Sequence, residues 1–197
     1  GISASAGKIK LVESAPPLKD IQLAAIMQGT KLSLTRVSGK TYGGQLTLTG
    51  QLKLTDSMSI NGDLRLVDTR LAKVHPSLAS YGGAFTGRAL ISGALSLSDA
   101  DPLSIRLRGR LKNTKIPSIG RRSADLDVLV LQGKTTRIMP SQASINGNIF
   151  SFQGLVAPTI DLTWRAQLSK ARRLLKNIGG DSLPPVITAN GRLRLKP

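Results

Sequence analysis

The chain has 197 residues, which is enough for one or two domains and a sizeable core. It contains no cysteine and one histidine, His75, which excludes a disulfide framework, a thiolate metal site and a multi-histidine metal site. Hydrophobic residues make up 40% of the chain but aromatic residues only 3%. The apolar content is therefore aliphatic and lacks the flat rings that stack on bases or sugars.

The net charge is strongly positive, with 28 Lys+Arg against 11 Asp+Glu and a formal charge of +17. Such an excess favours anionic partners: nucleic acid, phospholipid headgroups or lipopolysaccharide. Solvated strand faces would explain it equally well. No apolar run approaches the roughly 20 residues that span a bilayer. The sequence begins Gly1-Ile2 rather than with Met, and we interpret it as an excised piece of a longer protein, from which an export signal could have been removed.

Period-two alternation of apolar and polar residues predicts strands in the first half of the chain. The pattern is clearest where leucines and glycines at positions of one parity alternate with Thr, Gln, Asn and Asp at positions of the other. A connection over Asp68–Ser80 is predicted to contain a helical turn at Leu71–Val74. An irregular linker is predicted at Ile116–Arg122. The predicted strands are Lys8–Glu13, Asp20–Met27, Lys31–Val37, Gln45–Leu54, Ser57–Leu66, Ala84–Leu97 and Leu103–Leu111.

The second half continues the alternation and adds one helix. Ser169–Ile178 carries an apolar stripe at 3/4 spacing, begins at a serine that can cap it and ends at Gly179-Gly180. We predict two strand blocks, 1–115 and 116–197, which could also form one continuous sheet. The strands predicted here are Ala124–Gln132, Thr135–Met139, Gln142–Asn148, Ile149–Leu155, Asp161–Leu168 and Val186–Leu195.

A weak repeat consists of Ser or Thr, then Ile or Ala, then Asn-Gly. It occurs at Ser59–Gly62, Ser144–Gly147 and Thr188–Gly191. Asn-Gly is a strong hairpin signal. At Asn61-Gly62, however, the alternation continues through the dipeptide. A bulge or bend within one strand is therefore an alternative to a hairpin turn there. Recurrence near 40–45 residues favours stacked multi-strand units, as in a solenoid-like groove or, with less support, a propeller.

No motif in the chain predicts catalysis. Asp125 and Asp127 share one face of a strand and are interpreted as solvated residues rather than an acid/base pair. Gly133-Lys134-Thr135 lacks the earlier glycine of a phosphate-binding loop. We therefore predict a protein that is not an enzyme, with no metal site and no cofactor.

Four stretches together resemble the AsmA/TamB family of bacterial envelope proteins: Val37–Gly50 with its Tyr-Gly-Gly, Ser59–Leu71, Ala84–Leu97 and Ser169–Leu195. The resemblance implies an all-β fold, a curved antiparallel sheet forming an open, solenoid-like groove (a "β-taco") with one short amphipathic helix. It also implies a periplasmic segment of an inner-membrane-anchored protein in a Gram-negative bacterium. The implied role is phospholipid transport towards the outer membrane, or support of outer-membrane biogenesis. The family has no catalytic residues to map onto this chain.

The site that follows from this interpretation has two parts. Arg106, Arg108 and Arg110 are expected to meet phosphate headgroups or water. Glycines of inward parity leave room for curvature or for an acyl chain. The expected contacts with the acyl chains of a bound phospholipid are Leu46, Leu48, Leu52, Leu54, Ile60, Leu64, Leu66, Ile91, Leu95, Ile105 and Leu107.

Two other functions remain open. A structural β-repeat spacer would fill its own core and bind no apolar ligand. A basic nucleic-acid-binding β domain is favoured by the charge, but single-strand binders usually add aromatic stacking platforms, and this chain has one Trp, two Tyr and three Phe. Nucleic acid is therefore not the expected partner.

Overall fold

The structure, a computed structural model, describes residues 2–9, 18–74, 79–96, 100–116, 120–171, 184 and 186–195. These residues form one twelve-stranded sheet in which spatial order follows chain order from β1 to β12. Every neighbouring pair in the sheet is antiparallel. The predicted all-β class and the open, curved antiparallel sheet are confirmed.

The strands average about eleven residues, and short turns join most of them. A single turn of helix, α1 (Leu71–Val74), follows β5, as predicted. The first six strands are β1 (Ile2–Ile9), β2 (Leu18–Gln28), β3 (Lys31–Thr41), β4 (Gly44–Lys53), β5 (Ser59–Arg70) and β6 (Ala84–Ala94). The last six are β7 (Leu103–Ile116), β8 (Gly120–Gln132), β9 (Thr136–Ile145), β10 (Asn148–Ala157), β11 (Ile160–Leu168) and β12 (Ile187–Leu195).

The strand register turns the sequence alternation into two chemically distinct faces. Leu46 lies opposite Leu66, and Leu48 opposite Leu64, on the side that we call the aliphatic face. The intervening residues point to the other side, which we call the charged face and which carries most of the arginines. Because side chains alternate with period two, the register sorts each strand in this way between its bulges.

The described sheet is a single layer. Extensive contacts join strands that are neighbours in the sequence, and α1 lies against β5. Within the described residues, β1 and β12 are edge strands that do not pair with each other. The accessible surface of 12,369 Å² exceeds the roughly 9,000 Å² expected for a compact monomer of 20.9 kDa. The open single layer therefore leaves more surface accessible than a compact fold of this mass would.

Two predicted connections are wrong in part, because bulges carry the strands further into them. Val67–Arg70 belongs to β5, where the pairing shifts between Leu66 and Thr69, and Asp68 takes a φ of 52°. Residues 120–122 belong to β8, pairing with β7 beyond a shift between Leu111 and Thr114. Each bulge interrupts the alternation, so the sequence pattern stops before the strand does. The β7–β8 pairing spans the boundary between the predicted blocks 1–115 and 116–197.

The two strands predicted on either side of Pro140 are one strand, β9. Proline has no N–H to donate to the sheet, and the β8–β9 pairing shifts between Asp127 and Val130 at this point. The buried Ser141 side chain repairs the gap: its Oγ accepts from the Leu129 N–H at 3.0 Å and donates to the Met139 carbonyl at 2.7 Å. The bulge therefore absorbs the proline without ending the strand.

The three Asn-Gly dipeptides have different structures. Asn146-Gly147 is the two-residue β9–β10 turn, with φ values of 52° and 80° that match a type I′ hairpin. Asn61-Gly62 lies in the regular middle of β5, paired without a shift to β4. Asn190-Gly191 is likewise mid-strand in β12. Strand pairing, on both sides of β5 and on one side of β12, overrides the local turn preference at these two sites.

Several predictions fall wholly or partly on residues that the structure does not describe. Residues 10–13 of the first predicted strand lie outside the described ranges, and β1 occupies Ile2–Ile9 instead. His75 also lies outside them, as does the predicted helix beyond Ala171. Ser169, the predicted cap, donates its hydroxyl to the Gly147 carbonyl at 3.0 Å.

Asn148 ties residues 169–171 to the β9–β10 hairpin. Its side chain is fully buried, donates to the Ile145 carbonyl at 3.1 Å and accepts from the Lys170 N–H at 2.9 Å. Asn148→Leu would leave both backbone groups without their partner, so we expect it to lower the free energy of unfolding by about 1–3 kcal/mol. Chemical denaturation checks this, and an unchanged midpoint would show that water replaces the amide.

Candidate functional site

The predicted acyl-chain contacts assemble on the aliphatic face. Strand pairing places Leu52 opposite Ile60, Ile91 opposite Ile105, and Leu107 opposite Ala89. Most of these side chains are half-buried because neighbours flank them within the sheet and, among the described residues, no second layer covers them. The structure thus brings together, on one surface, residues that lie up to 61 positions apart in the chain, from Leu46 to Leu107.

The aliphatic face differs at its two ends. At one end of the strands, Ala166, Leu168 and Ala171 form a buried cluster, packed against Ile145, Phe150 and Ile187. At the opposite end, the aliphatic face finishes in an exposed apolar rim, which we define as Met27, Leu54, Met58, Leu95 and Leu195. These side chains are 38–52% exposed. The aliphatic face is therefore covered at one corner, over β9–β12, which we call the closed end, and exposed to solvent at the rim.

Aromatic rings and close backbones fill the space beside several glycines on this face. A Cβ on Gly109 would lie 2.6 Å from the Phe85 ring and 2.6 Å from the Gly87 Cα. A Cβ on Gly191 would lie 2.8 Å from the Trp164 indole, which covers this glycine on the edge strand β12. At these positions glycine therefore permits close approach of ring and backbone, rather than leaving an empty slot for an acyl chain.

The three arginines predicted to meet headgroups point away from the aliphatic face. Arg106 donates from Nη2 to Asp127 at 2.9 Å, and Arg108 donates from Nε to the same carboxylate at 3.0 Å. Arg110 lies 3.8 Å from Asp125. A lipid tail on the aliphatic face could not place its headgroup on these residues through the sheet. Asp125 and Asp127 are ion-pair partners on the charged face, as their solvated interpretation implies.

The hydrogen bond from Arg106, together with that from Arg108, holds the pKa of Asp127 below its ordinary value. A carboxyl with a lowered folded-state pKa stabilises the fold above its unfolded pKa of about 4, and that contribution is lost as pH falls through the folded value. We expect Asp127→Asn to lose less stability than wild type between pH 6 and pH 3, measured as thermal midpoints. Asp56→Asn, in an exposed turn, is the control and should follow wild type.

The charged face also carries hollows that the sequence analysis missed. One of about 640 Å³ lies over β9–β12 beside Gln142, Gln153 and Arg165. Another, of about 570 Å³, lies over β4–β7 and includes Arg65, Arg88 and Arg108. The alternation predicts that these side chains share a face, but only the cross-strand register shows which of them are neighbours.

The described part of the chain holds no cluster of metal ligands and no membrane-spanning helix. Its residues contain no group of three or more His, Cys, Asp or Glu side chains placed to hold a metal ion. Within the same ranges, no helix has the length and apolarity needed to cross a membrane. Comparisons with protein-family models, with curated proteins and with solved structures found no significant match.

Proposed function

We propose that this chain is a non-enzymatic lipid-binding segment whose aliphatic face receives the acyl chains of a phospholipid. One observation carries the proposal: directly opposed leucines and isoleucines form a continuous face that, within the described residues, no second layer covers. Large exposed apolar surfaces are rare on monomers unless they bind something. Each methylene that a lipid tail buries contributes about 0.8 kcal/mol, so a full tail would compete strongly with water for this face.

The open end of the aliphatic face supports a tail-first arrangement. Tails would lie towards the closed end, and the headgroup would stay at the apolar rim. Lys31 and Lys53 lie opposite each other at this end of β3 and β4, but their parity places them on the charged face. The five rim residues themselves are uncharged, so the headgroup would remain in solvent beside them.

The cellular role in this proposal comes from the AsmA/TamB resemblance. The chain would be a periplasmic segment of an inner-membrane-anchored protein in a Gram-negative envelope. Its sheet would form part of a groove that moves phospholipid between the inner and outer membranes or supports outer-membrane biogenesis. The aliphatic composition of the face, with few aromatic rings, suits acyl chains better than sugars or bases.

Native mass spectrometry of the gently purified chain, followed by organic extraction, tests the proposal. The expected result is stoichiometric phospholipid that survives transfer to the gas phase. A well-folded, lipid-free monomer would contradict it and favour the structural spacer, whose apolar faces would cover each other. Copurifying nucleic acid without lipid would favour the basic nucleic-acid-binding domain.

A further inference from the structure

Three arginines lie side by side across the charged face. Arg65 in β5 pairs with Arg88 in β6, and Arg88 pairs with Arg108 in β7. Neighbouring strands are about 4.8 Å apart, so the three residues follow one another over roughly 10 Å. Like charges directly opposite each other destabilise a sheet. An arrangement of this kind calls for negative charge nearby.

The carboxylates around this row do not balance it. The Arg88 guanidinium makes a bidentate ion pair with Asp63, with Nε bonds of 2.6 and 2.7 Å. Arg108 shares Asp127 with Arg106. Among the described residues, Arg65 has no ion-pair or hydrogen-bond partner for its side chain, which is exposed. The row therefore keeps a net positive charge with one guanidinium whose donors are all available.

A hollow with free hydroxyl groups adjoins the row. Its volume is about 570 Å³, and Thr47 and Thr49 line it together with the arginines. Thr47 pairs directly with Arg65 across β4 and β5. Among the described residues, neither threonine hydroxyl has a hydrogen-bond partner, whereas Thr86 in the same hollow donates to Asp68 at 3.2 Å. Hydroxyl and guanidinium donors thus converge on one space.

We propose that the hollow formed by Thr47, Thr49, Arg65, Arg88 and Arg108 binds a phosphate-type oxyanion. Guanidinium groups donate two parallel hydrogen bonds to phosphate oxygens, and such charge-assisted bonds are the strong ones. Thr47 and Thr49 would donate to further oxygens. Asp63 and Asp127 keep the arginines in place and lower the total charge, which suits a single phosphate group rather than a long polyanion.

The observations favour an isolated phosphate group over nucleic acid. Base stacking needs aromatic rings beside the cationic groups. Among the described strands, Phe85, Phe150, Phe152 and Trp164 belong to the aliphatic face. The oxyanion site is on the opposite side of the sheet from the proposed lipid tails, so its existence does not depend on the proposed function. Its phosphate could come from a soluble compound or from the headgroup of a bilayer lipid.

Titration of the intact chain with inorganic phosphate, against chloride at matched ionic strength, tests the proposal. The readout is the arginine Nε–H signals in nuclear magnetic resonance spectra. Wild type is expected to show saturable shifts at Arg65 and Arg88. Arg65→Gln should weaken binding about tenfold, because it removes a charge-assisted donor. Arg165→Gln removes the same charge from the same face four strands beyond β7 and should leave binding within about twofold.

Thr47→Val provides a second test that leaves the net charge unchanged. It should weaken phosphate binding several-fold because one hydroxyl donor is lost. The proposal is overturned if phosphate produces no saturable shift, or if Arg65→Gln and Arg165→Gln weaken binding equally. In the latter case the face would attract anions only through its overall charge, and an oligonucleotide would be expected to bind both variants alike.

Two further probes distinguish the sources of the phosphate. Binding to vesicles of phosphatidylglycerol in phosphatidylcholine that depends on Arg65, and that glycerol 3-phosphate displaces, supports a lipid headgroup in the site. Binding of glycerol 3-phosphate that depends on Arg65, without vesicle binding that does, supports a soluble phosphate compound. Retention of copurified lipid by Arg65→Gln would separate this site from the aliphatic face.

Discussion

A chain carrying both Leu48→Asp and Leu64→Asp is expected to lose copurified phospholipid by about tenfold or more. These leucines face each other across β4 and β5 in the middle of the aliphatic face. Each contributes about 1.5–3 kcal/mol when buried, and an ionised carboxylate against an acyl chain adds a desolvation cost. Lipid per protein after organic extraction measures the loss, and circular dichroism verifies that the sheet persists.

The matched control is Gln51→Asp with Asn61→Asp. These two residues also face each other across β4 and β5, but on the charged face. The control therefore adds the same two carboxylates to the same strand pair and should retain the lipid. A folded Leu48→Asp, Leu64→Asp chain with unchanged lipid content would show that any bound lipid does not occupy the aliphatic face.

Gly87→Ala is expected to lower the free energy of unfolding by about 1–3 kcal/mol, the usual cost of overpacking. A Cβ at Gly87 would clash with the Arg108 carbonyl and the Phe85 ring, and would lie 2.8 Å from the Gly109 Cα. The backbones of β6 and β7 would have to separate where Gly87 and Gly109 pair. The shift of the denaturation midpoint at constant m-value measures the effect.

Gly62→Ala on the same face is the control for Gly87→Ala. Its Cβ would meet the flexible end of Leu48 at 3.3 Å and the opposing Thr49 carbonyl only at 3.5 Å, an ordinary van der Waals distance. Alanine also reduces the conformational freedom of the unfolded chain, so we expect stability within about 1 kcal/mol of wild type. Equal losses at both positions would indicate that β-strand glycines here provide curvature generally, and that the contact between Gly87 and Gly109 is not special.

The fold was predictable from the sequence where alternation was uninterrupted. Gln45–Leu54 and Ser57–Leu66 correspond closely to β4 and β5, because period-two side chains and a buried face specify the register. The prediction was wrong where a bulge or proline broke the pattern, at 67–70, 120–122 and Pro140. There the strand continues because pairing with its neighbours outweighs a local irregularity, and such pairing is not encoded in any one segment.

The candidate site was likewise predictable from the sequence only in part. Residue parity alone places Leu48 and Leu64 on one face and the arginines on the other. Parity does not show that Arg65, Arg88 and Arg108 are direct neighbours, since this depends on the register of three strands set by turns and bulges. The choice of Arg106, Arg108 and Arg110 as headgroup contacts did not anticipate their ion pairs with Asp127 and Asp125, for the same reason.

The amino-acid sequence by itself determined that this protein is a β-sheet with one aliphatic face and one charged face, because side-chain direction follows from backbone geometry and composition. Only the tertiary structure decided that the twelve described strands pair in chain order into one open sheet and that the aliphatic face ends in an exposed apolar rim. It also decided that Arg65 has no carboxylate partner among the described residues. These properties depend on contacts between residues far apart in the chain, which cross-strand hydrogen bonding selects and local pattern does not.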